Sequence, residues 1–383
     1  MPHQNIAFHD LLKRVPWGFF DSRVEAHRAD AGVRRLSMKS QLMAMLYAQL
    51  SGAGSLREIE TGLASHGRRL YHLGAKPVRR STLADANAHR PAEVFVELFA
   101  HLVQLAQRGL RRKVADSVYL IDASGLRLTA ASRWARFSAS ACGAKMHVIY
   151  DARAEQPIYA ALSAANVNDI TAAQAMPIEP RATYVFDLGY YDYAWWAKLH
   201  AEGCRIVTRF KRNTPLADAE ERPVAEGSAI LSDRVGQLPA RQAASRKNPF
   251  SAPVREVRVR IDTGKILRIL SNDLEASAEE IADLYKRRWG IELFFRWVKQ
   301  TLKIRSFLGT SENAVRIQIA TALIAYLLLR LAHADHKTPL SPLTFARLIR
   351  ANLMHYRRID QLLDPERPRP NHGEQMAFIW ART

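Results

Sequence analysis

The sequence predicts an α/β protein in which a helical N-terminal segment precedes a mixed sheet that carries a β-rich insertion. Residues 1–113 have apolar side chains at helical spacing. Residues 117–210 alternate between short β-branched runs and helical patterns, which is typical of a sheet with helices on its faces. Residues 212–275 break this alternation and then show period-two runs, which indicate inserted strands.

The N-terminal segment contains signals for both the start and the end of helices. The run from Leu36 to Ala48 is apolar at helical spacing, and Gly52 follows it as a helix breaker. Ser55 and Glu58 have the spacing of a capping box, which opens the next helix. We therefore expect helices on both sides of Gly52.

Five short apolar runs predict the strands of the core. The links between the first three are short, which favours an antiparallel meander. Helical patterns over residues 169–176 and 191–202 separate the later runs and give the order βββαβαβ. The predicted strands span residues 118–122, 145–150, 157–162, 183–187 and 204–210.

The insertion and the segment after it contain further turn and cap signals. Residues 254–261 and 265–270 are joined by Asp262-Thr-Gly264, which predicts a hairpin. Ser277 and Glu280 have the spacing of a second capping box, at the start of a long helix that we expect to reach about residue 304.

The most apolar run of the chain, Ile317–Leu329, spans 13 residues. A membrane span needs roughly 20 residues, so we interpret this run as a buried core helix near 312–334 and expect no membrane partner. A basic helical tail follows it. The predicted domains are a helical N-terminal domain (1–113), an α/β core in two parts (114–211 and 276–310), a β-rich insertion (212–275) and a C-terminal helical region (311–383).

Charge narrows the class of partner. The chain has 56 Lys and Arg against 37 Asp and Glu, a formal net charge of +19. Such an excess attracts polyanions, chiefly nucleic acid, with an anionic membrane surface as a distant alternative. Only two cysteines occur, which excludes a disulfide framework and suits a reducing cytoplasm. We expect a cytoplasmic, nucleoid-associated protein.

Several familiar catalytic motifs are absent from the sequence. It contains no Walker A loop, no dinucleotide-binding glycine motif, no His-Glu-x-x-His zinc motif and no Gly-x-Ser-x-Gly nucleophile elbow. We therefore expect no nucleotide cofactor and no zinc chemistry.

Two aspartates follow apolar runs and so are predicted to stand at strand ends. Asp122 and Asp187 end the first and fourth predicted strands, which would bring them to one edge of the sheet. A carboxylate in such a position is costly unless it is paired or binds a metal. Carboxylate oxygens suit Mg²⁺, which keeps open positions for phosphate. The alternative is that each aspartate only caps a turn.

A third acidic residue lies on the long predicted helix. At about 100° per residue, Glu292 falls on one stripe with Tyr285, Arg288, Arg296 and Lys299. This stripe combines a carboxylate, a phenol and cations that suit phosphate. The alternative is a solvated charged face with i,i+4 pairs.

The spacing Tyr285-x2-Arg288-x3-Glu292-x6-Lys299 resembles the Y-R-E-K signature of the insertion-sequence-four family of DDE transposases. The sequences around the two aspartates, 120–124 (Leu-Ile-Asp-Ala-Ser) and 186–190 (Phe-Asp-Leu-Gly-Tyr), are similar to those of the family's first and second aspartates. A β-rich insertion before the glutamate is also a trait of that family.

The resemblance implies an RNase H-like catalytic core and a DNA transposase that cuts transposon ends and transfers the strands into target DNA. It implies Asp122, Asp187 and Glu292 as ligands of two Mg²⁺ ions, for which Mn²⁺ can substitute. The other residues of the signature would contact end phosphates, and a homodimer would hold two DNA ends. Two alternatives remain: an RNase H-like nuclease without strand transfer, and a catalytically silent DNA-binding repressor.

The N-terminal segment is predicted to bind the inverted-repeat ends. Arg79 and Arg80 precede a helix predicted to begin at Ser81, and arginines at a helix N-terminus favour phosphate. Asn87, further along that helix, could read a base edge. Helix capping and plain surface charge are the alternatives for these residues.

Overall fold

The computed structural model describes residues 6–107, 116–139, 141–243, 245–302 and 307–363. The predicted domain boundary after residue 113, the predicted helix end near residue 304 and the last part of the basic tail lie outside these ranges. The helices are α1 (Ala7–Leu12), α2 (Trp17–Ala26), α3 (Met38–Ser51), α4 (Leu56–Ser65), α5 (Gly67–His72), α6 (Arg80–His89), α7 (Glu93–Gln107), α8 (Asp169–Gln174), α9 (Tyr193–Ala201), α10 (Ala278–Arg287), α11 (Trp289–Thr301), α12 (Glu312–Asp335), α13 (Pro342–Asn352) and α14 (Ile359–Leu363). The strands are β1 (Val118–Leu128), β2 (Cys142–Asp151), β3 (Gln156–Ala164), β4 (Thr183–Phe186), β5 (Arg205–Arg209), β6 (Ala217–Glu221), β7 (Ile230–Gln237), β8 (Arg241–Ala243), β9 (Arg246–Lys247), β10 (Val254–Arg260) and β11 (Ile266–Ser271).

Nine of these strands form one mixed sheet in the order β3-β2-β1-β4-β5-β11-β10-β7-β6. Strands β1, β2 and β3 form the predicted antiparallel meander. Strands β4 and β5 join it in parallel, β4 beside β1 and β5 beside β4. The predicted mixed α/β class is confirmed.

The inserted strands extend the core sheet. Strand β11 pairs antiparallel with β5, with Ile269 opposite Arg209. The predicted hairpin is confirmed: β10 and β11 pair antiparallel, and Gly264 in the turn between them has a φ of +78° that favours glycine. The backbone hydrogen bonds of the core therefore run on into the insertion.

The sheet separates two apolar cores, and alternation along β1 assigns its side chains to them. Tyr119 and Ile121 pack in the core that contains Trp196 of α9. Val118 and Leu120 pack on the opposite face, in the core shared with α11 and α12. Because side chains alternate along a strand, Asp122 lies on the Leu120 face, towards α11.

Helix α12 is the central helix of the larger core and contacts α3, α6 and α7. It has 24 residues, Glu312–Asp335, so the helix predicted near 312–334 is confirmed. By length and composition alone α12 could cross a membrane, but 83% of its most apolar 18-residue window is buried within the described structure. The interpretation as a buried core helix is confirmed.

Local capping follows the sequence signals. The hydroxyls of Ser55 and Ser277 accept the backbone N–H groups of Glu58 and Glu280, as the two capping boxes predict. Gly52 ends α3 in the left-handed region, with a φ of +77°. The predicted long helix after Ser277 is instead two helices, α10 and α11, which meet at Arg288.

Candidate active site

Asp122 does not end its strand, because β1 continues to Leu128 through its pairing with β2. The parallel pairing with β4 ends earlier, at Leu120 opposite Val185. Asp122 therefore lies just beyond the last residue of β1 that pairs with β4. Asp187 directly follows β4, and its carboxylate accepts the N–H of Gly189 at 2.8 Å. Both aspartates thus lie at the same end of β4.

Arg288 connects β1 to α11. Its guanidinium donates to Oδ2 of Asp122 at 3.5 Å and to Oε1 of Glu292. Its Nε is buried and has no hydrogen-bond partner among the described residues. The break between α10 and α11 at Arg288 therefore places a cation between two of the predicted catalytic carboxylates.

The pKa of Asp122 is raised from 3.8 to about 6. Burial is the main cause, and the negative charges of Asp187 and Glu292 add to it. The N–H of Ala123 and the charge of Arg288 act in the opposite direction. The charges of Asp187 and Glu292 thus both act on the carboxyl of Asp122.

The signature residues divide into two groups along α10 and α11. Tyr285 is buried beside Arg288, with the guanidinium carbon 5.8 Å from the ring centroid, and burial raises the pKa of its phenol. Arg296 and Lys299 lie further along α11, away from this junction. Arg296 is exposed, with its guanidinium 5.7 Å from the ring of Trp289.

The N-terminal arginines are at the surface, as a role in DNA binding requires. Helix α6 begins at Arg80, and the Arg79 side chain is 84% exposed and 3.8 Å from a carboxylate oxygen of Glu60. The prediction that Asn87 reads a base is wrong, because Asn87 is only 2% exposed. Its amide oxygen accepts a hydrogen bond from Gln41 at 2.8 Å, between α6 and α3.

Three residues near Asp187 did not enter the predicted site. Asp169 lies at the start of α8, Lys145 on β2 pairs with it at 2.9 Å, and Tyr190 is fully buried beside the aspartates. Asp169 gave a weak signal, as an acidic residue at a predicted helix start. Tyr190 belongs to the sequence 186–190 that resembles the family's second aspartate, and it lies in the turn that follows Asp187. Lys145 gave no signal, because its approach to Asp169 depends on the packing of α8 against β2.

The oxygen donors of this site suit a hard divalent cation. Among the described residues, however, no group of three or more His, Cys, Asp or Glu side chains is close enough together to hold a metal ion. Arg288 instead pairs with both Asp122 and Glu292. Carboxylate oxygens are ligands that fit Mg²⁺. In this structure, however, two of the three carboxylates are paired with the guanidinium of Arg288.

A formal net charge of +19 on an α/β fold is typical of proteins that bind nucleic acid. The family described as "Transposase DDE domain" matches residues 114–328. A second family, "Domain of unknown function (DUF4372)", matches residues 3–76. The chain therefore belongs to the DDE transposase family, and it is an enzyme of DNA transposition.

Two curated relatives of this chain are named as transposases. "Putative transposase y4zB" of Sinorhizobium fredii is 39% identical over 327 residues, which are 83% of this chain and 91% of the relative. "Probable transposase for insertion sequence element IS5377" of Geobacillus stearothermophilus is 30% identical over 261 residues, 65% of this chain and 66% of the relative. A piggyBac transposase in a synaptic complex with hairpin DNA has a TM-score of 0.44 and 10% identity, covering 92% of this chain and 79% of that one.

Proposed function

We propose that this transposase cuts DNA at transposon ends and transfers the strands into target DNA at a site built from Asp122, Asp187 and Glu292. The observation that carries the proposal is the position of Arg288, which contacts Asp122 on β1 and Glu292 on α11 at the same time. Asp122 and Glu292, which are 170 positions apart in sequence, thus contact the same guanidinium, as two residues of one reaction centre require.

The three carboxylates would hold two Mg²⁺ ions, or Mn²⁺ in their place. When bound, such ions activate a water or a DNA 3′-OH and stabilise the leaving oxygen in an in-line displacement at phosphorus. The chain itself supplies no covalent nucleophile in this proposal. Its carboxylates would hold the metal ions and its cations would orient the reacting phosphate, and one site would serve both cleavage and strand transfer because only the nucleophile changes.

The cations around the carboxylates would hold the DNA ends. Arg288, whose guanidinium lies beside the ring of Tyr285, would contact the phosphate next to the reaction centre. Arg296 and Lys299 would contact phosphates further along the DNA backbone. Arg79 and Arg80 would anchor the inverted repeat on the N-terminal helices.

The finer classification also belongs to this proposal. The order β3-β2-β1-β4-β5, a meander followed by two parallel strands, supports an RNase H-like core. The spacing of Tyr285, Arg288, Glu292 and Lys299 supports the insertion-sequence-four family. We further propose a homodimer that holds two DNA ends, no nucleotide cofactor and action on the nucleoid in the cytoplasm.

The test uses single alanine variants of Asp122, Asp187 and Glu292, with Asp335→Ala as a control carboxylate at the far end of α12. Each catalytic variant should lose Mg²⁺-dependent cleavage and strand transfer but keep binding to end DNA, and the control should keep all three. Mg²⁺-dependent cleavage by Glu292→Ala would overturn the assignment. Joined strand-transfer products from the wild-type protein would distinguish a transposase from a nuclease that only hydrolyses, and any cleavage would exclude a silent repressor.

A further inference from the structure

Two carboxylates approach the turn after β4 from different elements. A Cβ atom placed on Gly189 would lie 3.0 Å from Oδ1 of Asp187 and 3.1 Å from Oδ2 of Asp169. Asp187 belongs to the turn itself, whereas Asp169 comes from the start of α8. The absence of a side chain at Gly189 therefore allows both carboxylates to lie next to the same backbone.

Lys145 holds Asp169 in this position. Its ammonium donates to Oδ1 of Asp169 at 2.9 Å and to the carbonyl of Val167 at 3.0 Å. The side chains of Lys145 and Asp169 are each 26% exposed, so solvent screens the pair only in part. Because Lys145 is opposite Gly125 on β1, the pair connects α8 to the strand that carries Asp122.

A buried phenol lies near the same aspartates. Tyr190 is fully buried, and its hydroxyl has no hydrogen-bond partner among the described residues. Burial raises its pKa, and the charges of Asp122, Asp169 and Asp187 raise it further. The charge of Asp169 thus acts on the same hydroxyl as the charges of Asp122 and Asp187, in agreement with its approach to Asp187 at Gly189.

We propose that Asp169 and Lys145 are positioning residues for the metal-dependent reaction, an inference that rests on the proposed function. The Lys145 ammonium balances the charge of Asp169, so Asp169 can support the Gly189 turn without repelling Asp187. Asp169 in turn keeps the ammonium away from Asp187. Without Asp169, Lys145 would pair with Asp187 and compete with a divalent cation for its oxygens.

The experiment measures Mn²⁺ binding to the full chain without DNA, by calorimetry. Asp169→Asn should weaken binding by about tenfold or more, the usual effect of removing a group that orients a metal ligand. The double variant Asp169→Asn with Lys145→Met should regain most of the affinity, because the competing ammonium is then absent. The matched control Asp335→Asn removes an ion pair of similar length, with Arg14 at 2.8 Å, and should bind Mn²⁺ like the wild type.

Further variants separate this inference from the proposed function. Asp122→Ala should abolish Mn²⁺ binding, and if it does not, the proposed function itself fails. If Asp122→Ala abolishes binding but Asp169→Asn leaves it unchanged, only the role of Asp169 fails. A double variant that binds Mn²⁺ as weakly as Asp169→Asn would also overturn the competition by Lys145.

If Asp169→Asn does not fold, Gly189→Ala tests the same point, because its methyl group would separate the two carboxylates. An unchanged Mn²⁺ affinity of Gly189→Ala would overturn the inference.

Discussion

The guanidinium of Arg288 lies 3.5 Å from Oδ2 of Asp122, although 166 residues separate the two in the sequence. This contact joins the second predicted part of the catalytic core to the first, across the whole β-rich insertion. The same guanidinium also contacts Glu292 one turn further along α11. Any movement of α11 relative to β1 must therefore change the surroundings of both carboxylates.

Arg288 and its neighbour Arg287 allow geometry to be separated from charge. Arg288 faces the carboxylates with a side chain that is 17% exposed, whereas Arg287 is exposed at the end of α10. Arg288→Ala should weaken binding to end DNA and lower the slope of log K against log[salt] by about 0.9, the value for one phosphate contact. Arg287→Ala should have a smaller effect on both, measured on the same DNA by fluorescence anisotropy over a range of salt concentrations. Equal losses would mean that this surface is only diffusely basic.

Asp122 should reduce the stability of the folded protein at neutral pH. Because its pKa is raised from 3.8 to about 6, the folded state binds this proton more tightly than the unfolded state does. The favourable contribution is complete below pH 3.8 and is lost as the pH rises through about 6. Asn cannot ionise, so Asp122→Asn should be more stable than the wild type at pH 7.5, by up to about 3 kcal/mol.

The measurement is urea unfolding in EDTA at several pH values between about 4 and 7.5. The gain should fall between about pH 6 and pH 4 and vanish only below pH 3.8, where the wild-type carboxyl is protonated in the unfolded state as well as in the folded state. Asp335→Asn, which removes an exposed carboxylate, is the control. A gain for Asp122→Asn that does not change with pH would contradict the burial of an ionised carboxylate as its cause.

Much of the fold could be predicted from the sequence because local patterns determine it. The hairpin at Gly264 and the capping boxes at Ser55 and Ser277 depend on residues close to one another in sequence, and the meander joins strands that follow one another along the chain. The length of β1 could not be predicted in this way. Residues beyond Asp122 are strand only because β2 pairs with them as far as Leu128.

The candidate site was predictable only in part, for the same reason. Periodicity placed Tyr285, Arg288 and Glu292 on one stripe, and the structure brings these three together. The approach of Asp169 to Asp187 depends on β2 and α8 and has no local signal. The break at Arg288 interrupts an otherwise continuous helical pattern, so the sequence predicted one helix where there are two.

Asn87 should contribute to stability rather than to DNA specificity. It is 2% exposed and accepts a hydrogen bond from the buried amide of Gln41. Asn87→Ala would leave that amide without its acceptor, at a cost of about 1 to 3 kcal/mol in unfolding free energy. Denaturant unfolding would measure the loss. Competition between specific and unrelated DNA should give the same affinity ratio as the wild type; a changed ratio would restore a role in base reading.

Glu256 should be the opposite case to Asp122, a buried carboxylate whose charge stabilises the fold. It is fully buried on β10 and pairs with arginines on three strands of the insertion, Arg234 at 2.6 Å, Arg258 at 3.0 Å and Arg268. Burial alone would raise the pKa of Glu256, but the three guanidinium groups more than offset it and hold the pKa below its ordinary 4.5. The ionised form therefore stabilises the folded state above pH 4.5, and this contribution is lost as the pH falls through the lowered pKa.

Glu256→Gln keeps the shape of the side chain but removes the charge that these arginines share. At pH 7.5 we expect a loss of about 3 kcal/mol, the lower end of the cost of breaking a buried ion pair, because Arg258 is partly exposed. The loss should become smaller as the pH falls below 4.5, because Glu256 of the wild type then begins to protonate in the unfolded state while it is still ionised in the folded state. Glu155→Gln, whose side chain is 62% exposed and pairs with Arg330, should cost less than about 1 kcal/mol at any pH. If Glu256→Gln and Glu155→Gln have the same urea midpoint of unfolding, the charge of Glu256 does not stabilise the folded protein.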